Sequence, residues 1–80
     1  MLTNINNNKD LILVHSVLFD EYDNSLYIGN TDIQLNKTGY GIQYFNNNEA
    51  YEGNWKENVM FGYGKYYKKN NDIYEGIFDG

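Results

Sequence analysis

The sequence predicts an all-β protein, a single-layer antiparallel β-meander of successive hairpins. Three observations predict it. Tyr51, Gly53, Gly39, Gly41 and Tyr44 recur 23 residues further on as Tyr74, Gly76, Gly62, Gly64 and Tyr67, and a fixed period of roughly 20–50 residues marks an array of stacked supersecondary units. The runs between turn signals are short, near the ~5–6 residues usual for a strand, and no proline interrupts them. The connections are short too, so sequence neighbours must pair antiparallel, because parallel pairing needs long crossovers.

Taken in order, residues 1–10 lack periodicity and are expected to be a disordered tail. Residues 11–80 are expected to form the repeat domain. Leu11 to Phe19 is apolar and β-branched, long enough for a strand and short for a helix. Gly41 and Gly64 each lie 10 residues before a repeat tyrosine, so the matching position before Tyr27 is Val17, with His15 where the first glycine would be. Residues 11–26 are therefore expected to be a degenerate capping repeat whose bulk replaces the glycines, since terminal repeats are commonly atypical. Residues 27–50 and 51–73 make two full copies and 74–80 a partial third. The step from Tyr27 to Tyr51 is 24, and the extra residue between Gly29 and Gly39 is expected in a loop. Strands are expected at 25–31, 39–45, 49–56, 62–68 and 72–78. Turns fall at 20–24, 46–48 and 69–71, and loops at 32–38 and 57–61.

Alternation assigns the faces. Tyr51, Gly53 and Trp55 share one face, as do Gly62, Gly64 and Tyr66; Tyr40, Ile42, Tyr44, Tyr63 and Tyr67 fall on the other. Glycine in a strand leaves a gap. Its expected use is to seat a neighbouring ring, so that a Gly-x-Gly strand accepts aromatics from adjacent strands on its bare face. Rings on both faces exceed what one sheet can cover, and Tyr40, Tyr44, Tyr63 and Tyr67 are the candidate interaction surface.

Tyr-x-Gly-x-aromatic followed by Gly-x-Gly resembles the MORN repeat. Tyr51, Gly53, Trp55, Gly62 and Gly64 match it, as do Tyr74, Gly76 and Phe78. The earlier copy matches at Tyr27, Gly29, Gly39 and Gly41, with Thr31 in place of the aromatic and Asn58 in place of the usual turn glycine of the following copy. The resemblance covers Tyr27 to Gly80. It implies a scaffold or accessory module in the cytoplasm, at the boundary of membrane and cytoskeleton, often self-associating, with phospholipid a proposed ligand for some members.

Composition narrows the classes. Eighty residues make at most one small domain, whose core needs a supplement from stacked neighbours or a partner. There is no cysteine to form a disulfide or thiolate metal site. A net charge of −5, with six lysines and no arginine, argues against nucleic acid. The longest apolar run, Leu11 to Val14, is far too short to span a bilayer, and no signal peptide is expected. Asparagines cluster at 6–8 and 46–48; the second cluster reads as turn chemistry, since asparagine accepts positive φ.

No constellation reads as catalytic. His15, the single histidine, lies in an apolar strand with no nucleophile or orienting carboxylate at a recognisable spacing. Glu52 and Glu75 are one repeat position seen twice, which reads as a solvated face. Asp20, Glu21 and Asp23 lack the glycine and bidentate glutamate of a calcium loop. The Gly-x-Gly pairs lack the helix and lysine of a phosphate cradle. Lys65, Lys68 and Lys69, beside Tyr66 and Tyr67, are the candidate contact for anionic lipid, at ~1 kcal/mol per lysine, with a solvated strand end as the alternative. The expectation is a non-catalytic module without cofactor, metal or small-molecule substrate, whose partner is another protein or a second copy. The alternative is a regulatory segment of a larger enzyme such as a lipid kinase or methyltransferase, motivated by a sequence that stops at Gly80, before a third Gly-x-Gly strand.

Overall fold

The computed structural model describes residues 12–80. The expected tail, and Leu11 of the first expected strand, lie outside them. Six strands, β1 (Val14–Asp20), β2 (Ser25–Thr31), β3 (Lys37–Tyr44), β4 (Ala50–Lys56), β5 (Val59–Tyr67) and β6 (Ile73–Asp79), pair in sequence order as one antiparallel sheet. The result is a ribbon of 53 × 29 × 16 Å. The meander is therefore as the sequence predicts.

Asparagine closes four of the five hairpins, and Leu35 takes the positive φ in the β2–β3 connection. Asn24, Asn48, Asn58 and Asn71 all adopt positive φ, between 60° and 76°, a conformation that costs asparagine less than most residues. The β3–β4 and β5–β6 turns are the same turn one period apart. Phe45 N donates to Glu49 O, and Lys68 N to Asp72 O, at 2.9 and 2.8 Å. Asn47 Oδ1 and Asn70 Oδ1 accept from the backbone N–H two residues on.

Three expectations need correction. First, β3 and β5 begin earlier than expected, at Lys37 and Val59, so the second expected loop shrinks to the turn Glu57-Asn58. The cause is a bulge in each hairpin. Between the pairs Gly29↔Gly41 and Thr31↔Lys37, Asn30 alone faces Thr38, Gly39 and Tyr40; between Gly53↔Gly64 and Trp55↔Met60, Asn54 alone faces Phe61, Gly62 and Tyr63. Pairing resumes beyond the bulge, where the sequence reads as loop.

Second, the two glycines of each Gly-x-Gly do different work. Gly39 and Gly62 are the bulge residues, at φ 99° and 83°, and no ring lies against them. Only Gly41 and Gly64 seat aromatics.

Third, the position in β1 equivalent to Gly41 is Ser16, which pairs with Gly29, and not Val17. Four residues, 21–24, separate the paired Asp20 and Ser25, whereas three separate the bonded Phe45 and Glu49. A one-residue slip exchanges the faces of a strand. Val17 consequently points outward, 64% exposed, while Leu18 packs on the core.

The registers align Ser16, Gly29, Gly41, Gly53, Gly64 and Gly76 in one row across all six strands. Tyr27, Tyr51 and Trp55 lie on this face as the buried core. Trp55 meets Tyr27 and Tyr51 edge to face, with centroids 5.5 and 5.1 Å apart, and Tyr51 meets Phe78 at 5.0 Å. Thr31, at the aromatic position of its copy, is buried and hydrogen-bonded to Ser16, Oγ1 to Oγ 2.7 Å. A hydroxyl pair there takes the place of a ring.

Candidate functional site

The repeating unit couples a ring to a bulge. The Tyr27 ring lies over Gly41, where an added Cβ would sit 2.2 Å from its hydroxyl, and the Tyr51 ring covers Gly64 in the same way at 2.3 Å. Each hydroxyl then donates to the carbonyl of the residue that faces the bulge, Tyr27 to Asn30 O at 2.6 Å and Tyr51 to Asn54 O at 2.8 Å. A bulge leaves ladder groups unpaired, and the tyrosine supplies the missing partner. Gly29 and Gly53 allow close backbone approach, since a Cβ would fall within 2.5 Å of the facing glycine Cα. Burial pushes the Tyr27 hydroxyl up to about 12 and raises that of Tyr51. In the third copy Tyr74 is 55% exposed and nothing lies within 4 Å of where a Gly76 Cβ would be.

Two surfaces follow. On the outer face, Tyr40, Tyr44 and Tyr63 are about half exposed, with Val17, Phe19, Ile73 and Ile77 more so, and Tyr67 is half-buried. The expected interaction residues thus share one face. Tyr40 and Tyr67 donate to the two oxygens of Glu52, and Tyr63 donates to Glu75. Those bonds hold the Glu52 carboxyl below its usual range and push the Tyr40 hydroxyl up to about 12. Glu52 and Glu75 therefore orient tyrosines, a role that their shared repeat position did not disclose.

The three candidate lipid lysines are not brought into one patch. Lys65 stands on the outer face between Glu52 and Glu75 across the neighbouring strands. Lys68 turns to the ring face, where its ammonium lies over Tyr66 and 3.4 Å from Glu49. Lys69 is in the turn, its backbone N–H donating to Glu49. Glu49 also accepts from the Tyr66 hydroxyl, and these contacts, Tyr66 first, lower its pKa.

On the ring face a hollow of about 820 Å³ opens beside the core, lined by Leu18, Tyr27, Lys37, Gln43, Phe45, Trp55 and Met60, with Asp20, Glu21 and Asp23 of the first turn along its edge. Sequence reasoning did not single out Lys37 or Gln43. The available signal was a departure from the period: Lys37 and Gln43 stand 23 residues before Met60 and Tyr66, so the first copy is polar where the second is apolar. Lys37 Nζ donates to Gln43 Oε1 at 2.6 Å and lies 5.1 and 5.5 Å from the Trp55 and Tyr27 ring centroids. Burial lowers its pKa, against the opposing pull of Asp23 and Asp20. His15 is exposed, and among the described residues no three His, Asp or Glu side chains converge as a metal site.

The fold and this geometry define a β-hairpin repeat ribbon with one ring-packed face and one open aromatic face. No protein-family model and no curated protein matches the chain.

Proposed function

We propose that the chain is a non-catalytic, MORN-like protein-interaction module that self-associates or docks a protein through its outer face. The observation that carries this is a single-layer sheet whose second face leaves Tyr40, Tyr44 and Tyr63 about half exposed and Ile77 79% exposed. Half-exposed tyrosines anchored by Glu52 and Glu75 suit an interface, because they offer large rigid contact area with a polar tip. On the resemblance to MORN repeats, the proposal extends to a cytoplasmic module peripheral to membrane or cytoskeleton. For anionic lipid, the supporting feature would be Lys65, Lys68 and Lys69 on one face, and they are dispersed. The test is sedimentation equilibrium together with affinity capture, comparing the wild-type chain with the Tyr40→Ser/Tyr63→Ser variant. The expected result is association by the wild type and its loss in the variant at unchanged circular dichroism. A wild-type chain that stays monomeric at high concentration and retains no partner refutes the proposal.

A further inference from the structure

The hollow on the ring face departs from the repeat in a way that specifies what it can hold. Its volume of about 820 Å³ is within the roughly 300–1,000 Å³ of binding pockets, enough for several side chains of a partner. The floor is apolar and aromatic, made by Leu18, Tyr27, Phe45, Trp55 and Met60. In the second copy the equivalent space is packed: Tyr66 stacks on Phe45 with centroids 5.9 Å apart, and Met60 joins the core. In the first copy Lys37 and Gln43 hold those positions and bond to each other; Lys37 lies over the buried Trp55 ring, and Leu18, Phe45 and Met60 are the partly exposed apolar side chains of the hollow.

Charge decides the occupant. The edge carries Asp20, Glu21 and Asp23, and among the described residues the lining has the one cation Lys37, on a chain of net charge −5. Among the described residues the one ion pair is Lys68–Glu49, so none of the three edge carboxylates is within ion-pair distance of a described lysine. Lys37 itself shows that the Tyr27 and Trp55 rings accept an ammonium at 5.1–5.5 Å, a contact worth about 0.5–2 kcal/mol depending on desolvation. An apolar floor with an acidic edge attracts a segment that is apolar on one side and cationic along its border. The same charges repel an anionic membrane.

We propose that this hollow binds a basic amphipathic segment of a partner protein. Its apolar side chains pack on Leu18, Phe45 and Met60, next to Trp55, and its lysines or arginines reach Asp20, Glu21 and Asp23. The proposal rests on the interaction reading above and deepens it, by naming the partner's chemistry and a face distinct from the tyrosine face.

Trp55, the sole tryptophan, lies on the floor and reports directly. The whole chain is titrated, following tryptophan emission, with a helical peptide of leucine and lysine, with its leucine and glutamate counterpart, and with phosphatidylserine vesicles. The expected result is a saturable emission change with the lysine peptide alone. It should weaken at least tenfold in the Asp20→Asn/Asp23→Asn variant, whose asparagines keep the oxygens that accept from Tyr22 N and Ser25 N. Glu21→Gln, which removes a charge without touching a turn bond, should weaken it severalfold and guards against a folding defect in the double variant. Equal response to both peptides, no response, or insensitivity to all three substitutions overturns the proposal. A response confined to vesicles assigns the face to lipid, and an emission change on simple dilution assigns it to a second copy; each overturns it as well. Association through Tyr40 and Tyr63 that persists while Trp55 ignores the peptide sinks the hollow and leaves the interaction reading standing.

Discussion

Replacing Gly64 with alanine tests the ring-over-glycine unit with a single methyl group. Gly64 has no positive φ, so alanine meets no backbone strain there, and its three nearest atoms would all belong to Tyr51: the hydroxyl at 2.3 Å and Cε1 and Cζ at 2.5 Å. The ring is fully buried and must move. Such overpacking costs about 1–3 kcal/mol. Displacement also breaks the hydroxyl bond to Asn54 O, about 1 kcal/mol, and disturbs the edge-to-face contacts with Trp55 and Phe78, about 0.5–1.5 kcal/mol each. Alanine returns about 0.5–1 kcal/mol by restricting the unfolded chain. The net expectation is a loss of about 3–4 kcal/mol, a large share of the ~5–15 kcal/mol of a typical domain. At about 4–8 °C per kcal/mol for a chain of this size, the melting temperature should fall by roughly 15–30 °C. Urea unfolding followed by Trp55 emission measures it. In a Tyr51→Ala background the same substitution should become nearly neutral. A single variant within about 0.5 kcal/mol of wild type, or an undiminished cost without the Tyr51 ring, refutes the reasoning.

Further outcomes follow from the same geometry. At Gly62 the demand is on φ, with only Asn54 atoms at 3.5–4.0 Å from an added Cβ, so Gly62→Asn should recover most of the ~1–2 kcal/mol lost by Gly62→Ala. The parallel Gly64→Asn should recover nothing, and chemical denaturation of the three variants separates the two glycine roles. Glu57 holds φ 48° in the two-residue turn, where asparagine is preferred; Glu57→Asn should stabilise by about 0.5–1 kcal/mol in a thermal melt. Because the folded pKa of Glu49 is depressed, its contribution is present above the unfolded value of about 4.3 and fades as pH falls through the folded one. Glu49→Gln should therefore lie below wild type in urea midpoint at pH 7, with the gap narrowing toward pH 3.

The strand count, the antiparallel order and the division into faces were legible because period and alternation are properties of residue type alone. That a Gly-x-Gly strand seats a ring from its neighbour followed from the same pattern, whereas the assignment of Tyr51 to Gly64 needed the structure. What the pattern hid was backbone-level. Gly39 and Gly41 look alike in a string of letters, yet one bends the chain and the other vacates space, and only the register between Asn30 and its three facing residues tells them apart. The slip that puts Ser16 opposite Gly29 was hidden for a related reason, since one additional turn residue leaves no mark in the apolar run of β1. The hollow escaped notice because the sequence reading sought what recurs, while Lys37 and Gln43 matter by failing to recur.

Every strand here is hydrogen-bonded only to the strands before and after it in the chain, so damage and stabilisation are both felt over short distances. The exception is the tier of stacked rings, in which Trp55 on β4 leans on Tyr27 of β2 and Tyr51 on Phe78 of β6. These contacts skip a strand, like stitches thrown across alternate pleats. The ends are expected to fray independently, but cutting the Trp55 stitch should let the two halves of the ribbon melt as separate pieces.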